Sequence, residues 1–98
     1  MIVLFVAHLG QIIATPGALV ALAAAATSPS ALLRRHAAGD WSDLDAHDRA
    51  ANDAALRDGS RLLSAYIVAQ GVKVWIITEA ADEDGHRAAT TLLLPEEY

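Results

Sequence analysis

Residues 61–79 read RLLSAYIVAQGVKVWIITE, and this stretch decides the fold. Two runs of β-forming residues, 61–68 and 72–79, are joined by Ala69, Gln70 and Gly71, a connection short enough for a hairpin turn. In the second run, strict alternation places Val72, Val74, Ile76 and Thr78 on one face. Lys73, Trp75, Ile77 and Glu79 fall on the other, because successive side chains of a strand point to opposite sides. The first set reads as core. The second is half polar and presents a tryptophan between a lysine and a glutamate. That pattern suits cross-strand surface packing or a binding face, with Tyr66 or Arg61 reaching across.

Downstream, the polar loop Ala81 to Arg87 with Gly85 leads to a third run, 88–94, AATTLLL. Pro95 ends that run and leaves Glu96, Glu97 and Tyr98 as an acidic, aromatic tip. The three runs form a C-terminal antiparallel meander.

Upstream, the period becomes helical. Thr15 before Pro16, and Ser28 before Pro29, are N-caps followed by proline at the first helical position, predicting helices over 16–26 and 29–38. Gly39 suits a left-handed helix end. Ser42 reads as the cap of a third helix with Asp45 completing a shortened capping box, and Arg57 and Gly59 close it. Before Thr15, the short apolar runs IVLFV and QIIAT surround His8, Leu9 and Gly10, and one or both fit an edge strand. The expected class is α+β: two or three helices on one face of a three- to four-stranded antiparallel sheet, burying Leu19, Leu22, Leu32, Leu33, Leu44, Ile76 and Leu92. One domain is expected, with an apolar strand segment (1–14), a helical part (15–59) and the meander (60–98).

Composition narrows the function classes. The 98 residues include no cysteine, which removes disulfides, thiolate metal sites and thiol nucleophiles. A net charge of −5 disfavours a nucleic-acid partner, since phosphate binding by electrostatics calls for a basic face. The first thirty-three residues carry no formal charge. They lack the cationic start of a secretory signal, and His8, Gly10, Gln11, Thr15, Pro16 and Gly17 interrupt the run that a membrane span would need. Cytoplasmic residence is therefore expected, with no membrane association.

More than half of the formal charges fall in residues 34–59, RRHAAGDWSDLDAHDRAANDAALRDG. Cap and dipole rules account for Gly39, Ser42, Asp43, Asp45, Arg57 and Gly59. Arg35, His36, Asp40, Trp41 and Asn52 remain as binding candidates, with Trp75 from the sheet. Trp41, between a helix-ending Gly-Asp and a capping serine, fits an indole packed over the joint of two helices with its N–H hydrogen-bonded. It also fits a partner hot spot beside Arg34 and Arg35. Asn52 lies one turn past Asp48 and one before Leu56, turned towards the sheet, where it needs several hydrogen bonds. Asp43 and His47, at i and i+4, would share a helix face, and imidazoles with carboxylates are donors for Zn or Mn. A phosphate-cradling glycine loop, a nucleophile elbow and an HExxH pair are all absent from the sequence.

The order of elements is similar to that of RelE- or ParE-like toxins, although such toxins use a basic sheet face, and here the strands supply only Arg61 and Lys73. The motifs RHAAGDW, Asn52-Asp53, GSRLLSAY, KVWIITEA and TTLLLPEEY together resemble a family of small bacterial proteins carried on plasmids, phages and integrated elements. Ser42 stands where that family usually has glycine, and Ala80 to His86 lengthens the second turn. Members are sometimes labelled as modification subunits of type I restriction systems. The glycine-rich cofactor loop and aromatic Pro-Pro-type motif that a methyltransferase needs are missing here, so the resemblance implies context rather than mechanism.

The leading expectation is a non-enzymatic protein-binding or regulatory module linked to mobile DNA. Its partner would be another protein or a second copy of the chain, and no cofactor or metal is expected. The alternatives are a toxin-like RNase or translation inhibitor using Arg35, His36 and Arg61, and a small metal-dependent hydrolase using His36 and His47.

Overall fold

In the computed structural model, which describes residues 9–98, the hairpin forms as its sequence dictates. Strand β2 (Leu62–Ala69) pairs antiparallel with β3 (Val72–Thr78), and a bulge between Ile67 and Ala69 adjusts the register. The turn is the two-residue Gln70-Gly71, and both residues are left-handed, with φ of 45° and 81°. That is the backbone of a type I′ turn, whose twist matches that of the flanking strands. β3 pairs antiparallel with β4 (Ala89–Leu93), completing the meander.

The helices also start where their caps direct. α1 (Pro16–Ala24) and α2 (Pro29–Ala37) begin at Thr15 and Ser28, whose hydroxyls accept from the backbone N–H of Ala18 and Ala31. The class is α+β: among the described residues, three helices and a four-stranded sheet of order β1-β4-β3-β2.

Several expectations need correction or narrowing. The sheet is mixed rather than antiparallel, because β1 (Gln11–Ala14) lies parallel to β4. Three helices separate β1 from the meander, and a long crossover lets it enter beside β4 in the same direction. Of the two N-terminal runs, QIIAT supplies this strand, while IVLFV lies outside the described residues.

The third helix, α3 (Ala46–Asp58), starts at Asp45 instead of Ser42, and the Asp45 carboxylate accepts from Asp48 N–H at 2.8 Å. Ser42 has φ of 56° and bridges to Ala65 of β2, since Asp43 N–H donates to the Ala65 carbonyl at 2.8 Å. A segment bridged to a strand through a left-handed Ser42 cannot also be the first turn of a helix. Asp43 therefore lies outside α3 and shares no helix face with His47.

α1 ends at Ala24, two residues before the expected boundary, with Ala25 as its cap and a left-handed Ala26, φ of 52°, just beyond. Finally, Leu19 is 48% exposed, whereas Leu22, Leu32, Ile76 and Leu92 are buried and Leu33 and Leu44 half-buried.

The helices pack on the sheet face carrying Leu62, Ser64, Tyr66, Val74, Ile76, Thr78, Thr90 and Leu92. Among the described residues the apolar core has two clusters. Ala18, Leu22, Leu32, Tyr66, Val74, Ile76 and Leu92 make the larger, and Trp41, Ala55 and Leu62 the smaller. Arg87 ties α3 to the sheet region by donating to the carbonyls of Ser60, Glu79 and Ala55 at 2.7, 3.0 and 3.0 Å. A cation there also suits the negative end of the helix. At Gly10, φ is +64° and a Cβ would strike the carbonyls of Arg87 and Ala88, so only glycine lets β1 approach β4 this closely. No single helix among the described residues is long and apolar enough to cross a membrane.

Gln70 carries the cost of a left-handed side-chain residue that asparagine bears more easily. Gln70→Asn should raise stability by about 0.5 kcal/mol. A denaturant midpoint that falls instead would show that the turn is not type I′.

Candidate functional site

His36, in the last turn of α2, is completely buried between the two apolar clusters and points at the sheet. Its Nδ1 pairs with the Ser64 hydroxyl, and its Nε2 lies 2.7 Å from Thr78 Oγ1. Thr78 Oγ1 is 2.7 Å from Thr90 Oγ1, which donates to the Leu9 carbonyl at 2.7 Å. One helix and all three strands of the meander thus join a single buried chain of hydrogen bonds.

The inventory of protons fixes its direction. A carbonyl only accepts, so Thr90 spends its one proton on Leu9 and must accept from Thr78. Thr78 in turn accepts from His36, which places the ring proton on Nε2. Bare Nδ1 then accepts from the Ser64 hydroxyl. The ring is neutral, and burial pushes its pKa down to about 4, with the positive charge of Arg87 adding to the effect. Trp41 packs edge-on against it, with centroids 5.7 Å apart and planes at 78°.

The other candidates of the charged tract surround this ring. Trp41 is 4% exposed and donates its indole N–H to Asp53 at 2.9 Å, bridging the α2–α3 joint. Asn52 is buried and pairs with both backbone groups of Leu63, donating to the carbonyl at 2.6 Å and accepting from the N–H at 3.0 Å. Arg35 and Asp40 form an ion pair at 2.6 Å across the turn after α2, and each is about half exposed, at 46% and 47%. The hydrogen bond to Arg35 holds the Asp40 carboxyl below its usual range, although exposure to solvent keeps such a pair weak. Arg35 also lies over the Tyr66 ring at 4.7 Å. Tyr66 donates to the Asp40 carbonyl at 2.7 Å, and burial pushes its phenol up to about 12.

The structure therefore gathers Arg35, His36, Asp40, Trp41 and Asn52 into one clamp between the helices and β2. It does not make them a shared surface with Trp75. Trp41 faces inward, and Trp75 is half-buried on the opposite, helix-free face of the sheet, meeting Tyr98 edge-on at 5.8 Å and 66°. Arg61 joins that second group, donating to the Tyr98 hydroxyl at 2.7 Å. The grouping of Arg35 and His36 with Arg61 is thereby divided between two faces. Likewise His47 is exposed on α3, while both His36 nitrogens are engaged in the interior.

Sequence reasoning missed the partners of His36. The available signal was parity, since Ser64 alternates in phase with Leu62 and Tyr66, and Thr78 with Val74 and Ile76. A hydroxyl at a core position needs a buried partner. A further group, Asp82, Asp84 and His86, brings its ligating atoms within 4.8 Å of one another on the exposed loop before β4. There Asp82 already accepts from the backbone N–H of Asp84 and His86, at 2.9 Å each.

The buried imidazole sets an acid limit on stability. An unfolded chain protonates histidine near its ordinary value of 6.5, whereas folded His36 resists protonation until about pH 4. Below pH 6.5 the unfolded state therefore binds the extra proton, and stability declines as pH falls through this window by about 3 kcal/mol. Denaturant titration across this pH range should show that loss, and His36→Gln should lack this part of the slope; equal slopes in both would contradict the assignment. Comparison of the chain with family models, with curated proteins and with solved structures finds no match in any of the three.

Proposed function

We propose that the chain is a non-enzymatic protein-binding module whose working surface is the helix-free face of the sheet. One observation carries the reading: the helices cover one face, while on the other Tyr98 contacts both Trp75 and Arg61. These are the residue types that concentrate binding energy at protein interfaces. Beside them, Arg61, Ile77, Glu79, Thr91, Leu93 and Tyr98 line a concavity of about 320 Å³, large enough for an apolar side chain of a partner. Ile13 and Ile67, 44% and 57% exposed, extend the apolar character along the same face.

Charge supports a protein partner over nucleic acid. The strands contribute Lys73 as a cation, and its ammonium is held by Asp43 at 3.0 Å. The binding candidates of the charged tract, Arg35, His36, Asp40, Trp41 and Asn52, are taken up in folding contacts, which favours Trp75 and its neighbours as the working group. The link to mobile DNA, implied by the resemblance of the sequence motifs, belongs to the same proposal.

A photo-crosslinking side chain at Thr91, which lines the concavity, should capture one defined protein in the host, and the same group at exposed Ala51 of α3 should not. Trp75→Ala should weaken that capture at least tenfold with an unchanged circular-dichroism spectrum. Equal capture from both positions would count against the sheet face as the working surface. Growth arrest on strong induction would instead favour the toxin alternative.

A further inference from the structure

We infer that two copies of this chain associate through β1, pairing antiparallel across a two-fold axis to make a continuous eight-stranded sheet. The two edges of the sheet are treated very differently. At β2, the outward backbone groups of Leu63 are taken by Asn52, and those of Ala65 by Asp43 N–H at 2.8 Å and the Trp41 carbonyl at 3.4 Å. That edge is sealed over residues 63–65. At β1, Gln11 and Thr15 donate inward to the carbonyls of Ala88 and Leu92, both at 3.0 Å, so the backbone groups of Ile12 and Ala14 face outward. Among the described residues, no segment lies beyond them. Such a row of donors and acceptors is a template for another strand.

Charge points to a second copy as the occupant. The chain carries −5, so identical molecules repel wherever their charged surfaces meet. Residues 9–33, which contain β1 and α1, carry no charged side chain at all. This is the one long stretch of chain that two copies can bring together without opposing like charges. Its exposed apolar side chains include Ile12 and Ile13 on the strand, 46% and 44% exposed, and Leu19 and Val20 on α1, 48% and 70% exposed.

The register follows from strand geometry. Directly opposed residues of an antiparallel pair share a face, and outward groups must meet outward groups. Setting Ile12 opposite the second copy's Ala14, and the reverse, gives four backbone hydrogen bonds in two doubly bonded pairs. Ile13 then meets its own counterpart on the axis. That axis stands perpendicular to the sheet, so the two helix-free faces lie on the same side and the Trp75 surface is doubled.

Sedimentation velocity of the full chain should show a mass that rises with concentration to twice 10.3 kDa. Ile12→Pro removes an outward N–H from each copy that the isolated fold does not use, and should raise the dissociation constant roughly tenfold or more. Ile13→Lys places two ammonium groups together on the axis and should also shift the chain to monomer. Both variants should keep the wild-type circular-dichroism spectrum. A wild-type chain that remains monomeric at every concentration, or folded variants that associate as tightly as wild type, would overturn the inference. Association depends on the strand edge alone, so a failure of partner capture at Thr91 leaves it standing, and a monomeric chain leaves the Trp75 surface standing.

Discussion

Everything in this molecule depends on a neutral imidazole being fully satisfied inside the fold. Burying a polar ring between two apolar clusters is unfavourable unless each nitrogen finds a partner, and losing one such partner costs about 1–3 kcal/mol. His36 finds Ser64 on one side and the Thr78–Thr90–Leu9 series on the other. Those partners come from β2, β3, β4 and the segment leading into β1, so α2 can dock in only one position. Apolar packing alone would allow the helix to slide; the directed hydrogen bonds fix its register.

Around this point the charged tract acts as a fastening. Asn52 occupies the Leu63 backbone, the Trp41 to Asp43 segment occupies Ala65, and Trp41 connects the imidazole to Asp53 on α3. The outcome is a molecule with one sealed sheet edge and one helix-covered face. The helices leave uncovered the opposite face, where Trp75 is half-buried and Tyr98 exposed, and the opposite edge, with Ile12 and Ala14. Binding is proposed for those two surfaces because Arg35, His36, Asp40, Trp41 and Asn52 hold the fold together.

Much of this architecture was legible wherever the determinants are local. Thr15-Pro16 and Ser28-Pro29 start helices through contacts within one turn, and Gly59 ends α3 in the left-handed conformation with φ of 84°. The hairpin likewise needs only Gln70, Gly71 and their flanking strands. Reading failed where a distant contact made the choice. Ser42 and Asp45 are both competent caps, and only the pairing of Ser42 with Ala65 selects Asp45. The parallel placement of β1 is set across more than seventy residues by β4. In the site, the inward turn of Asn52 followed from helix spacing and the packing of Trp41 was one of two readings of its place between two helices, whereas the partners of His36 lie on other elements and left only the parity of Ser64 and Thr78 as a trace.

The account rests on the protonation state of one ring. Long-range proton–nitrogen correlation spectra of the folded chain report which His36 nitrogen carries the proton and at what pH the ring charges. The structure predicts a proton on Nε2, an unprotonated Nδ1, and a ring that stays neutral until the pH falls to about 4. A proton on Nδ1, or titration near the ordinary value of about 6.5, would contradict the buried hydrogen-bond series from which the rest of the fold is argued.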